Sequence, residues 1–470
     1  MIGVPYNPDV TIFLLSQSAN GSCAFVGGGQ GNKSTVVYST VGGGFNNTAS
    51  GCFSFIGGGF GNIANGDTYA VVGGGCQNTA SAYAAPTIGG GEGNTVSGSY
   101  STISGGYNNT ASGSYATISG GYANTSSAQY STVGGGGMNI ASAKRATVAG
   151  GGQNTASGYN STVGGGHINS ALGNRSTVSG GRCNTASGDY SFVGGGFGNT
   201  SLGARSTVSG GYQNSSNGNC SFIGGGINNS TSLSWSVVAG GLGNTSTGTY
   251  SFIGGGNTNE SSADKSFVGN GNGNTASGLC SFIGNGSNNL ASNTNSTIVG
   301  GIDNTVSGID SFIGGGSTNT ASGKCSTVVS GKTNTASGYY SFIGGGCGNT
   351  ASALYYATIA GGRGNTASGY YSAISGGINN QSSGYASFVG GGLFNYSNSG
   401  YSGILGGRCN CTCSFNDVMI SGSQICANRA CTTFVNKLSA MNFDECASVG
   451  ALPSGSFYYD AATCLVLFKP

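Results

Sequence analysis

Ser101-Thr-Ile-Ser-Gly-Gly-Tyr-Asn-Asn-Thr-Ala-Ser-Gly-Ser-Tyr115 is one copy of a fifteen-residue unit that fills the chain from about residue 24 to about residue 410. Aligned on its first residue, the unit occurs 26 times, at Ala24, Ser39, Ser54 and on through Ser387 and Ser402. Successive copies are fifteen residues apart, except for sixteen between Ser54 and Ala70, Ala70 and Pro86, and Ser341 and Ala357. A period this short leaves one coil of backbone per copy. The chain therefore reads as all-β, a parallel β-solenoid of 15-residue rungs over residues 24–410.

The aligned columns say what each position does. Two places after the first residue, every copy has Val or Ile, as in Val26, Ile56 and Val389. A β-branched column is what an inward-facing strand position wants. Five places on, every copy has Gly, including Gly106, Gly121, Gly136, Gly151 and Gly166. That marks a corner with positive φ or close backbone approach. Eight places on, every copy has Asn, including Asn109, Asn124, Asn139, Asn154, Asn169, Asn184, Asn199 and Asn214. Asn tolerates the left-handed conformation, and stacked copies pass amide hydrogen bonds from coil to coil. Each rung is then a strand, a Gly corner, an Asn corner and a second short strand of small residues.

The column before Val/Ile is Phe in ten copies and Thr in twelve, with an unbroken Thr run from Thr102 to Thr177. Strand side chains alternate faces, so this column points away from the core. Apolar residues on both faces of a strand imply that both are covered. A fifteen-residue coil has no room for two cores. Phe192, Phe222, Phe252, Phe267, Phe282, Phe312 and Phe342 are therefore expected to form a chain–chain interface. Just before each copy stands a variable residue that reads as solvent-facing. Tyr100, Tyr115, Tyr130, Tyr190 and Tyr250 in this column are candidate surface contacts for sugars, because aromatic faces suit them.

Halves such as Tyr-Ser-Phe-Ile-Gly-Gly-Gly (from Tyr250) and Asn-Thr-Ala-Ser-Gly (from Asn154) resemble the head repeats of trimeric autotransporter adhesins. The resemblance covers residues 20–410 and implies a left-handed β-roll with three chains per head. This unit is one residue longer than the usual fourteen and richer in Gly and Asn. Nothing resembles those adhesins' stalk or membrane anchor, so the chain is not expected to be an autotransporter itself. Leu452-Pro-Ser-Gly-Ser-Phe-Tyr-Tyr-Asp460, with the apolar strand that follows, is similar to the closing segment of fibre proteins from phages and large DNA viruses. Thr432-Thr-Phe-Val-Asn-Lys-Leu438 resembles the linker before it.

Residues 1–23 are expected to form a cap or attachment segment, and 411–470 a small Cys-rich β cap, since a solenoid needs its last open rung covered. Val10 to Leu15 is too short to span a bilayer, and no basic residue precedes it. No membrane insertion is expected. With 97 Gly in 470 residues the composition is far from globular, but the regular Val/Ile column argues for packing rather than disorder. A net charge of +2 with 6% charged residues offers no basic patch, so nucleic acid is not an expected partner.

Of the fifteen cysteines, Cys220, Cys280 and Cys325 share one column but lie four and three rungs apart, about 19 and 14 Å. Disulfides need Cα atoms within about 7 Å, so these stay unpaired within a chain, which suits production in a reducing cytosol. The terminal seven (Cys409, Cys411, Cys413, Cys426, Cys431, Cys446 and Cys464) have no zinc spacing and no His nearby, and read as structural thiols or disulfides. The lone His167 sits in a turn, and no two acids of the repeat share a column on adjacent rungs. No carboxylate pair is built by stacking. Hence no catalytic residues, no metal, no cofactor and no enzyme are expected.

Three functions stand open: a structural fibre or spike on a virion surface, a microbial cell-surface adhesin or filament subunit located outside the cell, and an ice-binding protein built on the Thr102–Thr177 ladder. The first is favoured. Its partners are its own chain as a homotrimer, other virion or surface proteins through one terminus, and a host glycan or receptor.

Overall fold

The computed structural model describes residues 17–435 together with the strands Phe457–Asp460 and Leu465–Phe468. It is an all-β parallel solenoid of about 28 turns, and no helix occurs among the described residues. Two compact units, Met1–Gly273 and Asn274–Pro470, divide the chain, and both are built from the same coil.

Each coil has two strands of two residues. In the copy that opens at Ser101 they are Thr102–Ile103 and Thr110–Ala111. Both pair in parallel with the next coil, Thr102 opposite Thr117 and Thr110 opposite Thr125. The result is two ladders, one on each long side of the coil. The Val/Ile column of the first ladder is fully buried from Val41 onward, and the inward column of the second is Ala or Ser in most copies, with Val96, Thr231 and Val306 among the exceptions. One large side chain facing one small one fills so narrow a coil, and burying each Ile is worth about 2–3 kcal/mol. Where the small residue is Ser, its hydroxyl finds the Ser that opens the next copy, as in Ser201 Oγ to Ser206 Oγ at 2.6 Å.

Backbone N–H groups in the strands donate forward to the next coil. Thr102 bonds Ala116 O at 2.9 Å and Thr110 bonds Asn124 O at 2.8 Å. At two corners the direction reverses. Tyr115 N–H donates back to Ser99 O at 2.8 Å, and Asn108 N–H to Glu92 O at 2.9 Å. Turning one N–H to the opposite side needs a left-handed residue, and the φ values are 61° at Tyr115 and 53° at Asn108. The same two positions are left-handed along the whole repeat. One runs from Cys23 to Tyr401 just before the first strand, and the other stands just before the Asn column.

This corrects the reading of the Asn column, to which the left-handed conformation was ascribed. The twist belongs to the residue before each Asn. A left-handed non-Gly residue costs about 1–2 kcal/mol. The reversed hydrogen bond, which joins a rung to its predecessor, offsets that strain.

The coil also outlasts the repeat. Ser18–Ala19 pairs with Lys33–Ser34, ahead of the first copy. Past Asn410, Met419–Ser421 pairs with Gly403–Gly406, and Thr433–Val435 pairs with Met419–Ser421, all in parallel. Asp417 and Cys431 keep the left-handed corner, with φ 58° and 51°. Residues 411–435, assigned from sequence to a separate cap, thus continue the stack. Phe457–Asp460 and Leu465–Phe468 form an antiparallel pair, Phe457 opposite Phe468. Most of the 1–23 segment, Cys446 and Cys464 lie outside the described residues.

Candidate functional site

The Asn column is a closed system. Asn154 Nδ2 donates to Gly150 O and Gly166 O, both at 2.9 Å, and its Oδ1 accepts from Asn169 N–H at 2.9 Å. Asn109, Asn124, Asn139, Asn169, Asn184, Asn199 and Asn214 are buried in the same way and repeat these bonds. A buried amide so fully bonded holds the corner and offers nothing to a ligand. The Gly corners Gly106, Gly121, Gly136, Gly151 and Gly166 lie at φ 85–95°. Space is short there as well as torsion, because a Cβ on Gly151 would stand 2.1 Å from Gly166 O.

Phe222 is 38% exposed, whereas Ile223 beside it is 0% exposed. Phe192, Phe282 and Phe342 are exposed to a similar degree, and Phe252, Phe267 and Phe312 are half-buried. In both units this column faces outward from the single chain. Each Phe of the column is followed two residues later by Gly. The structure gives the reason, since residues two apart on a strand share a face. The Phe222 ring lies over Gly224, where a Cβ would come within 3.4 Å of its Cε1. Phe192 over Gly194, Phe312 over Gly314 and Phe342 over Gly344 repeat the arrangement at 3.3–3.4 Å.

Each ring therefore leans over the Gly two residues on with its Cε1 edge against the backbone, and in the stacked Phe252–Phe267 pair the ring faces turn toward the neighbouring rung. Phe-x-Gly is the signal in the sequence that marks them. Down the ladder Phe192, Thr207, Phe222, Val237 and Phe252 alternate large and small in register. Phe252 and Phe267 then stack directly, with centroids 5.0 Å apart. Thr102 through Thr177 occupy the same outward column, also in register.

The five candidate tyrosines stand on the left-handed corner, exposed, but their ring faces are largely taken. Tyr115 is stacked between Tyr100 and Tyr130, with centroids 5.1 and 5.0 Å away. Tyr250 stacks on Trp235 at 4.9 Å. Tyr190 lies between the guanidinium groups of Arg175 and Arg205, at 5.1 and 5.8 Å. Rungs one strand spacing apart bring identical corners to stacking distance, so neighbouring rings consume the faces a sugar would use. Their edges remain in water.

Other polar groups serve the stack. Asp189 Oδ1 accepts from Asn174 N–H and Asp264 Oδ1 from Thr249 N–H, at 2.9 and 2.8 Å, each capping the preceding rung. His167 stands exposed on an outer corner, its backbone bridging those of Gly152 and Arg182. The described cysteines are free thiols. Cys413 N–H donates to Cys411 Sγ at 3.1 Å. Desolvation, with the adjoining thiols of Cys411 and Cys426, pushes the Cys413 thiol up to about 12. Such a group stays protonated near neutral pH and is a poor nucleophile.

These surfaces belong to a parallel β-solenoid whose outward features are a row of Phe and Thr and a ladder of stacked aromatic rings. No protein-family model matches the chain, and no curated protein matches it in sequence.

Proposed function

We propose that the chain is a non-catalytic fibre or spike subunit of a virion surface, self-associating through the Phe/Thr column. The β-solenoid fold is compatible with a structural fibre or spike. The observation that carries the reading is the row of Phe side chains that lean over Gly and stay exposed or half-buried in the single chain. A regular apolar stripe is what a second copy of the same ladder matches, and covering it removes that surface from water. Three chains around one axis follow from the resemblance to adhesin heads. Free thiols fit assembly in a reducing cytosol, and the resemblance of the C-terminal segment to viral fibres favours the virion over a microbial surface.

The solution mass of the purified chain, with and without reductant, tests this. A mass near three times 45.8 kDa that survives reduction is expected. A stable monomer overturns it. That result leaves the in-register Thr102–Thr177 row facing water and makes ice binding the reading to pursue.

A further inference from the structure

Between residues 339 and 401 the aromatic ladder changes character. Tyr340, Tyr356 and Tyr371 hold successive left-handed corners and stack, with centroids 5.0 and 5.2 Å apart. The next corner holds Ala386, and the one after it Tyr401. One ring is thus missing from the stack. Tyr385, a residue earlier, stands in the gap and meets Tyr371 at 69° and Tyr401 at 61°, with centroids 5.7 and 5.3 Å away. A ring crossed this steeply does not lose both faces to its neighbours, unlike Tyr115. Tyr385 is 47% and Tyr401 64% exposed.

These rings wall a groove of about 560 Å³, lined also by Ser383, Asn398, Ser414 and Asn416. A second depression of about 310 Å³, bounded by Tyr370, shares Ser383 and Tyr385 with it. Neither contains a charged side chain. Asn416 Oδ1 accepts from Gly400 N–H at 2.9 Å, and Asn398 Oδ1 from Thr412 Oγ1 at 3.1 Å. Both amide NH₂ groups, and the hydroxyls of Ser383 and Ser414, keep their hydrogen-bonding capacity among the described residues.

The ligand class follows from this lining. An anion finds no cation here, and a purely apolar molecule strands four polar groups. A pyranose ring fits both demands. Its C–H face is apolar and seats on an aromatic ring, while its hydroxyls donate to and accept from uncharged amides and hydroxyls. Two adjoining depressions sharing Tyr385 suit more than one sugar unit, and their volumes are those of ordinary ligand sites. We propose that this groove binds a neutral oligosaccharide, with Tyr385 and Tyr401 as stacking platforms and Asn398, Asn416, Ser383 and Ser414 as hydrogen-bonding partners. The fibre reading supplies only the setting, contact with a host surface, and the site stands on its own geometry.

The test applies the purified full-length chain to an array of neutral gluco-, galacto- and manno-oligosaccharides beside sialylated and sulfated ones. The strongest neutral binder is then titrated calorimetrically against the unaltered chain, Tyr385→Ala, Tyr401→Asn and, as control, Tyr115→Asn. Asn tolerates the left-handed corner, so Tyr401→Asn and the control keep the backbone, and circular dichroism checks each variant. Binding of a neutral oligosaccharide, weakened at least about tenfold (1.4 kcal/mol) by either groove variant and unchanged in the control, is the expected result. Absence of neutral binding, binding confined to acidic sugars, or affinity that does not respond to the groove variants overturns the proposal. Solution mass measured on the same samples separates the two readings. A monomer that binds through the groove refutes the fibre alone, and a trimer that binds no neutral sugar refutes the site alone.

Discussion

Asn154 and Asn160 stand on two corners of the same rung, six residues apart, and obey different rules. Asn154 is buried in a column that is Asn in every copy. Asn160 is left-handed, with φ 55°, in a column that elsewhere holds Tyr, Arg, Lys, Cys, Asp and Trp. In the first column the side chain makes the bonds that hold its own corner and join it to the next rung, so only one residue type serves. In the second the backbone N–H makes the joining bond, back to Lys144 O at 3.1 Å. The side chain there is free to vary even though the backbone is the more strained of the two. Between these two corners, invariance reports side-chain bonding rather than the left-handed backbone.

The sharpest way to break that contrast is at the inner corner. Gly151→Val puts a Cβ within 2.1 Å of Gly166 O at φ 85°, and is expected to lower stability by about 4 kcal/mol. Urea unfolding followed by circular dichroism reads the shift, and a change under about 1 kcal/mol would contradict the packing described. Asn154→Leu comes next. It strips Gly150 O, Gly166 O and Asn169 N–H of a partner, and about 3 kcal/mol is the expected loss in the same measurement.

The outer corner should respond far less. Tyr115→Asn removes two stacking contacts but relieves a left-handed Tyr, so a net change within about 1 kcal/mol is expected. A larger loss would mean that the aromatic ladder, and not the reversed N–H bond, holds the corner. The last test leaves the fold untouched. At pH 8 iodoacetamide should label exposed Cys280 on a left-handed corner well before Cys413, whose thiol is pushed up to about 12 by desolvation and the neighbouring thiols. Thiolate is the reacting form. Equal rates, read by mass spectrometry of the digested chain, would show that the neighbouring thiols do not hold Cys413 protonated.

Much of the fold is visible in the columns. Val or Ile two places after the start of each copy can only be core, and Gly at a fixed corner can only be a backbone requirement. The left-handed corner before the first strand hides because Tyr, Arg and Trp are poor left-handed residues, and nothing in their identity announces it. Phe-x-Gly is present in all ten copies that carry Phe, but its meaning needs the ring edge seen leaning over the Gly backbone. The tyrosines mislead for the opposite reason. Read singly they are open aromatic faces, and stacked one strand spacing apart most of those faces close.

By itself the sequence determined the coil, its fifteen-residue period, its Val/Ile core, and its Gly and Asn columns. Each depends on one residue type meeting itself in the next copy, a relation the period alone imposes. Tertiary structure decided where the left-handed residues sit, because that depends on which way each N–H must point to find a neighbouring rung. It also decided how far the coil runs. Residues 411–435 stack in parallel without the repeat, since a backbone ladder already in place offers hydrogen bonds to any chain that can follow it. The open groove beside Tyr385 was settled there too, where one Ala in a column of rings leaves a space that only neighbours in three dimensions define.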